Sequence, residues 1–184
     1  MKKILLTSAG FDNKAIERKF LELVQLEPSD IRVLFVPTAA INPDAKNMVP
    51  FCRKDLTDAG ISDDHIKVYS LDRPMEYSEI KEFHAIYFCG GSSSYLIERI
   101  NAVGFNKTLT EFIDNGGVYI GVSGGSIIAT TDLPEGLHFI NCKLNVHQEI
   151  GSRAESYKQT KAITVSLTDN QAILIVDNDI SIIE

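Results

Sequence analysis

Apolar residues in this chain follow two alternating rhythms. Short, nearly unbroken runs, "KKILLTSA" (2–9), "IRVLFVPTAA" (31–40), "IKVYSL" (66–71), "AIYFCGG" (85–91) and "GVYIGV" (117–122), read as strands buried on both faces. Between them lie longer stretches with apolar positions at helical spacing. Residues 11–26 put Ile16, Phe20, Leu23 and Val24 on one face. Residues 42–59 do the same with Met48, Phe51, Cys52 and Leu56 before Gly60 ends the pattern. Further helices are predicted at 78–83, 94–102, 106–115 and 124–130. Buried strands alternating with helices predict an α/β fold with a doubly wound, mostly parallel sheet flanked by helices.

After Asp132 the rhythm changes. "LHFINCKLNV", "AITVSL", "AILIVD" and "ISIIE" are short strand-like pieces separated by turns, which predicts a more antiparallel C-terminal portion. With 184 residues and no shift in composition, one domain over 1–184 is expected.

Charge narrows the partners. A net charge of −7 argues against a broad nucleic-acid surface or an anionic-membrane surface. The apolar runs are far shorter than the roughly 18 residues of a membrane span, and "MKKILLTSAGFDNK" is too brief for a signal-peptide core. Cys52, Cys89 and Cys142 are scattered and lack metal-ligand spacing, so reduced thiols in a cytoplasmic protein are expected, with no metal. Nothing in the sequence indicates a homo-oligomer.

Ligands of doubly wound sheets sit at the carboxyl ends of the strands. Three such ends are unusual here: "TSAG" after the first strand, "CGGSSS" after the fourth and "VSGGS" after the fifth. The last belongs to Gly121-Val122-Ser123-Gly124-Gly125, a G-x-S-x-G pattern between a strand and a helix. At so sharp a turn, side chains flanking the serine would strike the strand or the helix. Glycines at 121 and 125 remove them and leave the Ser123 hydroxyl raised into the crevice. The Gly124 N–H then faces a developing oxyanion, with Gly91 or Gly90 as second donor. A phosphate held on the same amides is the competing reading. No P-loop lysine follows, and dinucleotide-type glycine spacing is missing.

A serine nucleophile needs a base and an orienting acid. His147, in "KLNVHQEIGS", leaves an apolar segment for a polar loop and is the best placed histidine, ahead of His138. His65 lies in a polar turn with Asp63 and Asp64, and His84 precedes the fourth strand at the opposite end of the sheet. Asp169, in the turn "SLTDNQAI", and Asp132, just past the nucleophile helix, compete as the acid.

Together these segments resemble the peptidase E-like serine peptidases, which include aspartyl dipeptidases and, more distantly, cyanophycinases. "CGGSSSYL" is similar to the family's G-G-G-N-T-x-x-L, "GVSGGSIIA" to its G-x-S-A-G-A elbow and "LNVHQE" to its N-P-H-F segment. The resemblance implies a class I glutamine amidotransferase-like fold, Ser123 as nucleophile, His147 as base and no cofactor. Residues 167–170 align with the turn that carries the family's Glu, so Asp169 takes that place, with Asp132 as the alternative. Ser92 stands where the family has Asn, and Arg153 is left to pair with a substrate carboxylate; these two are the expected substrate contacts. The expected activity is hydrolysis of short peptides, with dipeptides bearing an N-terminal acidic residue as the implied subset. A non-catalytic domain binding a small anion is the alternative. An amidotransferase is weaker still, because Ser123 stands where a nucleophilic Cys would be required.

Overall fold

The fold is described from a computed structural model covering residues 1–153, 156–158 and 163–184. The first half alternates strand and helix. β1 (Lys3–Thr7), α1 (Lys14–Val24), β2 (Val33–Val36), α2 (Pro43–Asp58) and β3 (Ile66–Val68) come first. α3 (Tyr77–Ile80), β4 (Ala85–Phe88), α4 (Ser93–Ala102), α5 (Phe105–Asp114), β5 (Val118–Val122) and α6 (Gly124–Ile127) follow. After α6 the described elements are strands. β6 (Cys142–Asn145), β7 (Ser156–Lys158), β8 (Ile163–Ser166), β9 (Ala172–Val176) and β10 (Asp179–Ile183) complete the chain.

Among the described residues one sheet runs in the order β3-β2-β4-β5-β1-β9-β10-β7, and β6 pairs with β8 in a separate two-stranded ladder. The strands from β3 to β1 are parallel, whereas β9, β10 and β7 join in antiparallel fashion. This is the expected architecture. β1, β2, β4 and β5 are buried at every residue, as strands covered on both faces must be. Alternate residues divide between two cores. Leu5, Phe35, Tyr87 and Ile120 pack with Ile16, Phe20 and Leu56 of α1 and α2. Ile4, Leu34, Phe88 and Tyr119 pack with Leu96, Ile100, Phe105 and Leu109 of α4 and α5.

One strand expectation needs correction. "LHFINCKLNV" forms a strand only at Cys142–Asn145. Upstream of it, the Leu137, Phe139 and Ile140 amides donate to the Ile128 and Ala129 carbonyls, closing the end of a helical segment rather than a sheet. That also shortens the helix expected over 124–130. In α2, helical spacing grouped Met48 and Phe51 with Cys52 and Leu56, but only the latter two are buried. Met48 and Phe51 are 56% and 60% exposed. Among the described residues no helix is long and apolar enough to cross a membrane.

Register brings the carboxyl ends of β4, β5 and β1 side by side. β5 lies between the other two, with Phe88 opposite Gly121 and Thr7 opposite Val122. Because β9 runs antiparallel to β1 with Ala172 opposite Thr7, the turn before β9 arrives at the same edge.

Candidate active site

Ser123 occupies the bend between β5 and α6 with φ 48° and ψ −109°, a conformation L-residues avoid. The surroundings hold it there. Its N–H donates to the Thr7 carbonyl at 3.0 Å, and its own carbonyl accepts from the Ser126 N–H at 2.9 Å. The buried Ser126 hydroxyl lies 2.7 Å from both the Thr7 and Gly121 carbonyls. A Cβ at Gly121 would stand 2.7 Å from the Ser126 nitrogen, and one at Gly125 would stand 2.6 Å from the Phe88 carbonyl. The two outer glycines of the motif are therefore required by packing.

Ser123 Oγ is 2.9 Å from His147 Nε2, and His147 Nδ1 is 2.7 Å from Asp169 Oδ1. The ladder of β6 and β8 makes this alignment. With Asn145 opposite Ser166, the Gln148 N–H donates to the Leu167 carbonyl, which carries His147 alongside the turn of Asp169. His147 itself has φ 57°. Its N–H donates to Ser8 Oγ at 2.7 Å, and the Ser8 hydroxyl donates to Asp169 Oδ1 at 3.0 Å. The wholly buried Ser8 thus ties the imidazole-bearing backbone and the carboxylate to the end of β1. Sequence reasoning noted "TSAG" as an unusual strand end but did not single out Ser8.

The competing residues lie elsewhere. Asp132 Oδ2 accepts from the Leu144 N–H at 2.7 Å, so this carboxylate pins β6 instead of orienting His147. His138 Nε2 meets the Leu133 carbonyl, and His84 Nδ1 accepts from the Arg32 N–H ahead of β2. Asp63 pairs with Arg53 at 2.7 Å. Ser92 caps α4 by accepting from the Tyr95 N–H and is absent from the crevice wall. Arg153 is exposed and lines a separate depression with Glu149, Asn170 and Gln171.

A crevice of about 610 Å³ opens beside Ser123 and His147, bordered by Gly90, Gly91 and the exposed face of α2. Gly91 has φ 132°, and a side chain there would collide with the Ala39 carbonyl. The Gly124 N–H, first in α6, has no acceptor within its helix. Burial pushes the Cys89 thiol well up and the Cys142 thiol to about 12, so neither supplies a thiolate nucleophile.

Asp55 sits deeper in the crevice wall, where its Oδ2 accepts from the Phe11 N–H at 3.0 Å and the Tyr87 hydroxyl at 2.9 Å. Burial outweighs these bonds and raises its pKa to about 6 from the usual 3.8. The folded chain therefore holds this proton more tightly than the unfolded chain. The stability it contributes is full below about pH 4 and is lost as pH rises through 6. Asp55→Asn can keep both accepted bonds without a charge to bury. We expect it to match the parent near pH 4 and exceed it by about 1–2 kcal/mol at pH 8, allowing for solvent screening. Urea unfolding across that range measures the gap.

A serine on a strand-to-helix elbow, in line with an imidazole and a carboxylate within a doubly wound sheet, has the geometry of a serine hydrolase site. The chain belongs to Peptidase family S51, a serine peptidase family, whose model matches residues 4–183. It is 25% identical over 133 residues to an uncharacterized peptidase of Listeria monocytogenes and 23% identical over the same length to one of Pasteurella multocida. Those matches cover 72% of this chain but 63% and 62% of the relatives, less than two thirds of their length. Two solved structures share the fold. A candidate peptidase E protein from Listeria monocytogenes superposes with a TM-score of 0.76 at 19% identity, covering 100% of this chain and 98% of that one. A peptidase from an acI-B1 Actinobacterium superposes with 0.71 at 15% identity, covering 100% and 87%.

Proposed function

We propose that the protein hydrolyses peptide bonds in short peptides through Ser123, His147 and Asp169. His147 Nε2 takes the hydroxyl proton as Ser123 Oγ attacks the scissile carbonyl, then returns it to the leaving amine. A water deacylates the ester by the same route in reverse. Asp169 fixes the tautomer with Nδ1–H toward itself and Nε2 free to accept. The Gly124 amide receives the oxyanion, with Gly91 or Gly90 as the second donor. The observation that carries this reading is the unbroken line of contacts, 2.9 Å then 2.7 Å, from hydroxyl through imidazole to carboxylate.

An anion-binding module would have no use for that line, and Asp12, Asp44 and Asp55 in the crevice wall would repel its ligand. The cysteines are buried and unpaired, which supports a reducing compartment such as the cytoplasm. Labelling the intact protein with a fluorophosphonate, with mapping of the adduct, tests the assignment. Modification at Ser123, suppressed in His147→Ala, is expected. Adduct elsewhere, or none, overturns it.

A further inference from the structure

The charge of the crevice bears on which peptides it accepts, provided that the site is the peptidase site proposed for it. Asp12, Asp44 and Asp55 line the cavity beside Ser123, while among the described residues neither lysine nor arginine does. Among the described residues none of these three carboxylates belongs to an ion pair. Nor do the described residues include a group of His, Cys, Asp or Glu side chains suited to hold a metal ion. The carboxylates instead act on one another. Burial and the charge of Asp169 both raise the Asp12 pKa, and Asp12 in turn raises that of Asp55. Among the described residues no lysine or arginine stands in the crevice as their counter-ion.

The opposite character appears on the same wall. Met48 and Phe51 leave more than half their surface uncovered, although their spacing on α2 would suit a core. Both line the cavity that Asp55 and Ser123 share. An apolar surface next to unpaired carboxylates, in a space of about 610 Å³, suits an amphipathic ligand.

We propose that this crevice selects peptides that bring a positive charge to Asp12 and Asp55 and lay an apolar side chain on Met48 and Phe51. Acidic residues are disfavoured there. This departs from the acidic N-terminal preference implied by the sequence resemblance, because the described residues of the crevice wall offer such a residue carboxylates and no guanidinium. The cation has two sources, the α-ammonium of the peptide or a lysine or arginine side chain.

A matched series of short fluorogenic peptides tests this, with lysine, norleucine or glutamate at one position and a free or acetylated N-terminus. We expect kcat/KM for lysine to exceed that for norleucine by roughly tenfold and that for glutamate by roughly a hundredfold at low salt, shrinking as salt is added. If the α-ammonium is the bound cation, acetylation abolishes turnover and the lysine advantage is small. Either pattern supports the proposal, and the double variant D12N/D55N should bring the lysine-to-glutamate ratio toward one. Equal or preferred turnover of acetylated glutamate peptides overturns it. Calorimetric titration of the same peptides into Ser123→Ala protein reads the selection without chemistry. Loss of labelling and turnover together with retained cation-selective binding would count against the catalytic reading alone, whereas charge-blind binding would sink the selectivity.

Discussion

Ser123→Ala should lower kcat by about a millionfold while leaving the unfolding free energy almost unchanged. The loss of activity is expected from the line of contacts. The described contacts of Ser123 Oγ include one polar partner, His147 Nε2 at 2.9 Å, and removing the oxygen leaves the imidazole with no attacking atom to activate. The unchanged stability is expected from the backbone. Every bond that holds the elbow uses main-chain atoms of Ser123 or the side chain of Ser126, so alanine inherits them intact. Glycine at the same position separates stability from activity further. With φ 48° and ψ −109° the parent bears a conformational cost that a residue without Cβ avoids. Ser123→Gly is therefore expected to be as inactive as Ser123→Ala yet more stable by about 1 kcal/mol. Steady-state kinetics beside thermal unfolding of the three proteins decides both points. A glycine variant less stable than the alanine variant would show that the bend is not strained.

The elbow was legible in the sequence because its requirements are local. Steric exclusion at 121 acts within a few residues, against Gly125 and Ser126, whereas the exclusion at 125 comes from Phe88 on the neighbouring strand and was legible only through the motif. His147 and Asp169 were legible less directly. Each needed a partner strand, and the candidates separate only once β6 lies beside β8 and β9 beside β1. Ser8 was not singled out for the same reason. A small polar residue after a buried strand has many uses, and only the antiparallel arrival of β9 puts Asp169 within 3.0 Å of it.

For α2 the helix was legible in the sequence, but the surroundings of its apolar face were not. Periodicity reports which side chains share a helix face, not whether that face meets another element or an opening. Met48 and Phe51 satisfy the helical pattern and still border the crevice. Similarly, "LHFIN" has the apolar content of a strand, but its Leu137, Phe139 and Ile140 amides are taken by the Ile128 and Ala129 carbonyls just past α6. Competition of this kind for backbone partners leaves no trace in composition.

The choice of acid yields the second large effect. Asp169→Ala should lower kcat by about ten-thousandfold, the scale seen when a triad carboxylate is removed. Asp169→Asn is expected to be milder by at least tenfold, for a reason particular to this site. A single oxygen, Oδ1, accepts from both His147 Nδ1 and the Ser8 hydroxyl. An asparagine carbonyl in that position can accept both bonds, keeping the tautomer and losing only the charge that stabilises the imidazolium. Where other donors dictate the amide orientation, asparagine instead presents its NH2 to the imidazole and the two variants converge. Ser8→Ala removes the hydroxyl that selects the carbonyl, so combining it with Asp169→Asn should bring the activity down toward that of Asp169→Ala. Asp132→Asn serves as the control for the competing acid. Its oxygen can still accept from the Leu144 N–H, and kcat should stay within about twofold of the parent. If Asp132→Asn were the crippling substitution and Asp169→Ala harmless, the imidazole would have to turn away from β9 in the working enzyme. The bonds from Ser8 to the His147 backbone and to Asp169 oppose such a turn.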